Sequence, residues 1–402
     1  MSKQISCKKA IGLGIAGAAA CSVVTGLAVA YALGGSSAEA GELSDVYRSL
    51  QEVQQLVNDR FVGEYDMQDV ENYVLTGYIS GLKDRWSYYL TPDAYQEYLT
   101  DHEDTRVGIG VTVRAQTDDE GDAAELIVIK VTPGSPAEKA GFAPYDAITE
   151  VDGTSVKQLG YEEAVDTVRG EAGTDVVLTV VDNDTGETEE RTVTRAEFEQ
   201  IYVTSRMLEG NVGYVKIDQF MAETDEQFIA AVDELREQGA ERLIFDLRDN
   251  PGGALTSLVN SLDYLLPEGT IITLNDKSGQ EETYTSDADE VDLPMAVLVN
   301  TESYSAAEFF AEALREYDKA DIVGERTSGK GYSQVVYPLN NGGAVGLSSS
   351  CYYTPDGSSL IDKGVQPDVE CSLTEEQKER QYALSDEEDG QLQAALDAVN
   401  KR

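Results

Sequence analysis

From Asn211 onward, apolar strand-like runs alternate with amphipathic helix-like runs, and this alternation restricts the fold more than any other feature of the chain. NVGYVKIDQF reads as a strand and DEQFIAAVDELREQG as a helix closed at Gly239. RLIFDLR is the next strand and GALTSLVNSLDYLL the next helix. MAVLVN, the helix SAAEFFAEAL and the short strand DIVGE follow. Strands alternating with helices predict an α/β layer around a largely parallel sheet. SQVVYPL and GAVGLSSSCYYT return to a β pattern. The last segment, DEEDGQLQAALDAVNKR, predicts a helix with Leu392, Leu396 and Val399 on one face.

Upstream the periodicity differs. Val46, Leu50, Val53 and Val57 recur at three- to four-residue steps, the mark of a helix; a second helix is expected over Asp69 to Leu82. A third begins at LTPDAYQEYL, with Thr91 as cap and Pro92 at the first helical position. From Thr105 to Phe198 the pattern shortens to GIGVTVRA, ELIVIKV, DAITEVDG and DVVLTVVD, strands separated by Gly, Pro and Asp, with SPAEKAGF and GYEEAVDTVRG as small helices. The expected boundaries are therefore 1–34, 35–104, 105–198, 199–373 and 374–402.

The chain has 402 residues, 41% of them hydrophobic, which excludes a mostly disordered polymer. Its formal charge is −45, a surface that repels nucleic acid. Ala10 to Leu33 carries no charged residue and would span roughly 36 Å as a helix, enough for a bilayer core of ~30 Å. Lys3, Lys8 and Lys9 precede it and orient the N-terminus to the cytoplasm, with the remainder outside. A signal peptide cleaved near Ala38-Glu39-Ala40 is the alternative; the length of the run favours an uncleaved anchor. Cys351 and Cys371 either pair in an oxidising compartment or stand as two thiols.

A single histidine, His102, sits among acids and excludes a His-rich metal site. Chemistry must then come from elsewhere, and ligands of open α/β sheets bind beyond the carboxyl ends of the strands. Three motifs fall there. DLRDNPGG, Asp246 to Gly253, frees backbone N–H groups just before a helix, as either an anion hole or a tight turn. Ser305 stands three residues before Glu308, the spacing of a capping box, so it reads as a helix cap or as a nucleophile at a strand-to-helix turn; Ser303 is then the better cap. Lys330 lies between two glycines in GERTSGKGYSQ, with Gln334 four residues on. A lysine base must be neutral, and burial can lower its ordinary pKa of about 10.4 by ~3–5 units. A Gly-Gly loop, a turn serine and a glycine-flanked lysine after successive strands are the parts of a Ser-Lys dyad.

These motifs resemble the carboxy-terminal processing peptidases, also called tail-specific proteases. LVNTESYSAAEFFAEAL is similar to the family's nucleophile segment, VGERTSGKGYSQ to its lysine segment and DLRDNPGG to its Gly-Gly motif; YYTPDGSSL, GVQPDV and the final helix also match. VTPGSPAEKAGFAPYDAITEVDG resembles a PDZ domain inserted ahead of the core. The resemblance implies a multi-domain α/β protein: a membrane helix, a helical segment, a β-rich PDZ domain, and a ClpP- or crotonase-like protease core with a β-rich C-terminal part. It assigns Ser305 as nucleophile, Lys330 as base, Gln334 as its support, and Gly253 and Ala306, with Gly252 beside them, as the oxyanion hole. In the PDZ unit it assigns Gly108, Ile109, Gly110 and Val111 to capture of a substrate carboxylate, and Arg169 to coupling between that unit and the active site. The expected activity is serine-type endopeptidase on extracytoplasmic proteins near their C-termini, without a cofactor; the alternative is a catalytically degenerate PDZ scaffold or an apolar-ligand binding protein on the same fold. The expected partners are substrates with free C-termini, the membrane, and a second copy in a homo-dimer. The chain departs from the family at Tyr145, usually Gly, at Tyr304, usually small, and at Glu302 and Ala307.

Overall fold

A computed structural model describes residues 40–101, 105–117, 121 and 123–402. The run Ala10–Leu33 and His102 lie outside the described residues. Among the described residues no helix is long and apolar enough to cross a membrane. The chain divides into two compact units. One holds the described residues up to Pro92 together with Val336–Leu347; the other is Asp93–Val335 with Ser348–Arg402.

In the first unit the predicted helices are present as Ala40–Arg60 and Met67–Ser80. The second starts two residues earlier than the periodicity suggests, because the Asp66 carboxylate accepts the Gln68 N–H at 2.7 Å and caps it there. A short strand, Tyr88–Leu90, is unforeseen; it pairs antiparallel with Ala344–Gly346. Gly346 is required at that pairing, since a side chain there would sit 2.4 Å from the Tyr88 ring.

In the second unit the alternating region forms a six-stranded sheet in the spatial order Val203–Leu208, Val212–Ile217, Arg242–Asp246, Met295–Val299, Ala320–Gly324 and Val369–Glu370. The first pair is antiparallel and the rest are parallel. Period-two alternation sends Val215, Ile217, Leu243, Phe245, Val297 and Ile322 to one face, where the helices Thr224–Glu237, Leu255–Leu265 and Ala306–Glu316 cover them. Tyr214, Ile244, Ala296, Leu298 and Val323 face the other way and pack on Leu392, Ala395, Ala398 and Val399 of the C-terminal helix Gly390–Val399. That helix is the outer layer of an αβα sandwich, which is why its apolar face exists. Sequence reasoning passed over the antiparallel strands Gly269–Asp276 and Glu281–Ser286, since the second is largely polar and exposed.

The Thr105–Phe198 region is a separate antiparallel sheet in the order Val111–Thr117, Ala123–Val131, Ala147–Val151, Asp175–Val181 and Thr188–Thr194. Its core gathers Leu126, Ile148, Val176, Leu178 and Val180 against Ala164 and Val168 of the helix Tyr161–Val168. GIGVTVRA is two strands rather than one. It breaks at Ile109–Gly110, where Gly110 has φ +85° and an added Cβ would lie 2.3 Å from Ser135 Cβ.

Candidate active site

Two loops meet at the carboxyl ends of adjacent parallel strands. The first, 246–253, leaves the strand Arg242–Asp246; the second, 300–305, leaves Met295–Val299. They are tied together repeatedly. The Asp249 N–H donates to Asn300 Oδ1 at 3.0 Å, and Asn300 Nδ2 returns a bond to Asp249 Oδ1 at 2.8 Å. The Tyr304 N–H donates to the Asn250 carbonyl at 3.1 Å. Ser303, fully buried, donates its hydroxyl to the Leu247 carbonyl at 2.7 Å and accepts the Asn300 N–H at 3.0 Å. Ser303 is therefore a staple between the loops and not the helix cap the sequence suggested.

Ser305 takes the N-cap position of the Ala306–Glu316 helix with φ 59° and ψ −124°. A non-glycine residue held there stores strain on the order of 1–3 kcal/mol, which persists only where neighbours impose it. The neighbours are Glu308 and Gly252. The Glu308 carboxylate accepts the Ser305 N–H at 2.9 Å, while the Glu308 N–H bonds the Ser305 carbonyl at 2.9 Å. Ser305 and Glu308 thus form the capping box that their spacing predicts. Gly252, φ +85°, lies so close that an added Cβ would sit 2.7 Å from Ser305 Cβ and 2.8 Å from the Ala306 nitrogen.

Glu308 also reaches the lysine segment. Its Oε2 accepts the Lys330 N–H at 2.8 Å; its Oε1 accepts the Gly329 N–H at 2.7 Å and the Thr327 hydroxyl. Burial pushes the Glu308 carboxyl upward, against the four hydrogen bonds that pull it down. Thr327, buried in turn, is fixed by the Val365 N–H on its Oγ1 at 2.7 Å. Lys330 Nζ stands 5.4 Å from the Tyr304 ring centroid, within reach of its negative face. Gln334 lies on the strand Tyr332–Pro338 with its carboxamide nitrogen buried and without a hydrogen-bond partner.

The glycines divide in role. The Gly252 N–H is taken by Asn250 Oδ1 at 2.7 Å, so it is a close-packing position and not a donor to a ligand. Gly253 forms a parallel bridge with Phe220, through the Phe220 N–H to the Gly252 carbonyl and the Ala254 N–H to the Phe220 carbonyl. The Gly253 N–H enters neither bond. The Ala306 N–H heads a helix and points along its dipole.

Below the first loop is a buried charge network. The sequence reading quoted DLRDNPGG but used only its glycines. Asp246 is fully buried, accepts the Tyr214 hydroxyl at 2.7 Å and is gripped by Arg248. Burial works to raise its carboxyl, but Arg248 and Lys216 outweigh that and hold it well below the usual carboxylate range. Arg248 extends on to Asp389 at 2.8 Å, the N-cap of the C-terminal helix. An Asp and an Arg at a strand end before Asn-Pro-Gly-Gly was the available signal.

In the antiparallel domain Gly108, Ile109, Gly110 and Val111 form one wall of a groove of about 260 Å³, opposite Val165 and Val168 and floored by Leu126 and Ile148. Arg169 is at its rim, exposed, paired with Glu97 at 3.4 Å and Asp166 at 3.6 Å. Both partners are surface acids.

A parallel αβα layer with these two loops carries an inserted, groove-bearing β domain, and comparison with known proteins gives its family. Residues 211–371 match the model of Peptidase family S41, and residues 99–181 match that of the PDZ domain. A carboxyl-terminal-processing protease of Synechocystis is 32% identical over 77% of this chain and 72% of its own. A CtpA-like serine protease of Staphylococcus aureus is 31% identical over 80% of this chain; the match spans 64% of that protein's length. A Bacteroides fragilis structure described as an S41 protease superposes with a TM-score of 0.60 at 17% identity, covering 81% of this chain and 90% of its own, and so supports the fold. The chain belongs to Peptidase family S41 and carries a PDZ domain, as the motif resemblance implied.

Proposed function

We propose that this chain is a serine endopeptidase that captures the free C-terminus of a protein substrate in its PDZ groove and cleaves the chain near that end. The observation that carries this reading is the shared hold of Glu308 on the Ser305 and Lys330 backbones beside the unused N–H groups of Gly253 and Ala306. Ser305 Oγ attacks the scissile carbonyl as Lys330 Nζ takes its proton. The carbonyl oxygen becomes an oxyanion held by Gly253 and Ala306, and the amine leaves with a proton from Lys330. Water then attacks the acyl-enzyme by the same route in reverse and releases the new C-terminus. Gln334, with its unbonded carboxamide nitrogen, supports the lysine side of the site.

The substrate end is held as a carboxylate nested in the backbone donors of Gly108 to Val111, with its chain added as a strand. The uncharged run Ala10–Leu33 supports a single-pass anchor that places the catalytic part outside the cytoplasmic membrane. Val46, Leu50 and Val53, exposed along the Ala40–Arg60 helix, support a homo-dimer.

A fluorophosphonate probe should label the protein at Ser305 and fail on Ser305→Ala. Cleavage of a protein with an apolar free C-terminus should disappear in Lys330→Ala. Absence of labelling on the unmodified chain, with peptide still bound, would instead make it a PDZ scaffold. Cleavage persisting in Lys330→Ala would remove the dyad. Membrane fractionation and light scattering of the full chain test the anchor and the dimer.

A further inference from the structure

Tyr145 is the chain's clearest departure in its PDZ unit, and its contacts lead out of that unit. It sits at φ 72°, where a glycine would be unstrained. Its turn is rigid: the Tyr145 N–H donates to the Val128 carbonyl at 2.7 Å. The adjacent Asp146, buried, accepts Arg191 at 2.7 Å, the Ala143 N–H at 3.1 Å and the Asn183 N–H at 3.0 Å. Three residues beyond Tyr145, Ile148 forms the floor of the groove. The turn is therefore rigidly joined to a strand that lines the groove.

The Tyr145 hydroxyl accepts the Tyr382 N–H at 3.1 Å, and the two rings lie 6.1 Å apart. Tyr382 belongs to the short 3₁₀ turn Gln381–Ala383. Along the same span Asp386 pairs with Arg206 of the core sheet. The span ends at Asp389, which caps the C-terminal helix through the Gln391 and Leu392 N–H groups at 3.1 and 3.0 Å. Asp389 also receives both terminal nitrogens of Arg248, at 3.1 and 2.8 Å. Arg248 lies in the loop whose far end is Gly252 and Gly253. Residues 381–389 so wall a polar cavity of about 940 Å³, bounded on the other side by Lys130, Thr132 and Pro144 of the PDZ unit.

We propose that residues 381–391 are a strap that transmits occupancy of the PDZ groove to the loop 246–253, with Tyr145 and Asp389 as the positioning residues at its two ends. The inference rests on the peptide-capture reading above for its ligand. Its route is a continuous set of bonds and backbone from Tyr145 to Arg248. The strained backbone at Tyr145 persists because the ring and hydroxyl fasten the strap. A groove that tightens on a peptide shifts the turn, and the strap carries that shift to Arg248. A coupling of ordinary size changes the paired equilibrium by on the order of 5-fold or more.

The test uses hydrogen exchange on the full chain carrying Ser305→Ala, so that no cleavage interferes. The probe is a ten-residue peptide ending in a free valine carboxylate, with its C-terminal amide as control. The free acid should protect the groove and change exchange by at least about 5-fold in 246–253 and 381–391. Adding Tyr145→Gly, which the left-handed backbone accepts, should leave groove protection intact and abolish the response in 246–253. Asp389→Asn should keep the response in 381–386 and lose it in 246–253. An unchanged loop response in Tyr145→Gly, or groove protection with no loop response in the Ser305→Ala chain, would overturn the strap. Failure of the peptidase reading appears separately, as absent Ser305 labelling with the exchange response preserved. No groove protection at all overturns both the strap and peptide capture.

Discussion

Glu308 Oε2 accepts the backbone N–H of Ser305 at 2.9 Å and that of Lys330 at 2.8 Å, so the separation of those two nitrogens is bounded by two bonds to one atom. The same two segments are also joined by the Ser328 N–H on the Ser303 carbonyl at 3.3 Å and by the pairing of Ala320–Gly324 with Met295–Val299, while Glu308 bonds both residues directly. Replacing it by Glu308→Gln keeps the size but turns an amide NH₂ toward donors on one side or the other. Loss of a buried acceptor costs about 1–3 kcal/mol. Urea denaturation should show that loss, and kcat should fall far more than KM changes. An unaltered kcat in the destabilised variant would show that Glu308 serves the fold alone.

The two glycines should respond differently to alanine. At Gly253, φ +141°, a Cβ would lie 1.9 Å from the Phe220 carbonyl oxygen, so the bridge to Phe220 must break. Gly253→Ala should destabilise the core by several-fold more than Gly252→Ala, as read from thermal unfolding. At Gly252 the clash falls on Ser305 Cβ and the Ala306 nitrogen at 2.7 and 2.8 Å. Gly252→Ala should therefore remain folded while losing fluorophosphonate reactivity at Ser305.

Ser303→Ala removes the bond of a fully buried hydroxyl to the Leu247 carbonyl and leaves the half-buried Asn300 N–H without its acceptor. The expected cost is about 1–3 kcal/mol in denaturant unfolding. Labelling at Ser305 should slow as the loops separate, yet its site should not change. A shift of less than a few tenths of a kcal/mol would mean that the Asp249–Asn300 pair suffices to hold the loops.

Glu316 gives the pH prediction. Burial, with Asp356 and Glu312 nearby, pushes its carboxyl up to about 7, although the Asp356 N–H bonds it at 2.8 Å. The folded protein then holds the proton more tightly than the unfolded chain does. Stability from this group is present below the ordinary carboxylate pKa of about 4.3 and is lost as pH rises toward 7. Because the side chain is only half-buried, the effect is modest. Glu316→Gln should raise the melting temperature above pH 7 and bring the two proteins together near pH 4.5. Parallel curves across that range would contradict the assignment.

Much of the fold was legible because period and punctuation carry it. Val215, Phe245, Val297 and Ile322 announce buried parallel strands by composition, and Asp246 to Gly253 marks its turn with Pro and Gly. Leu392 and Val399 announced a docking helix, but not its dock, since the sheet face that receives it is assembled from four distant strands. Glu308 was visible only as the third residue of a capping box; its bonds to Gly329 and Lys330 are long-range and leave no periodic trace. Ser303 misled for a related reason. Its hydroxyl serves a backbone carbonyl 56 residues away, where local reasoning can see only the helix beside it. Arg248 and Asp389 are 141 residues apart, and a charged residue in a polar motif reads as solvated until burial is known.

The carboxylate of Glu308 also says where this chain can change length over descent. Tyr317 through Glu325 joins the helix of Ser305 to the segment of Lys330; its strand, Ala320–Gly324, is held in register on Met295–Val299, and Glu308 fixes the last step between the two residues. An insertion at the exposed Asp318 corner would be absorbed as extra loop, whereas one inside Thr327–Lys330 would pull the lysine off its anchor. Length variation among descendants of this sequence is thereby channelled to one side of a single side chain.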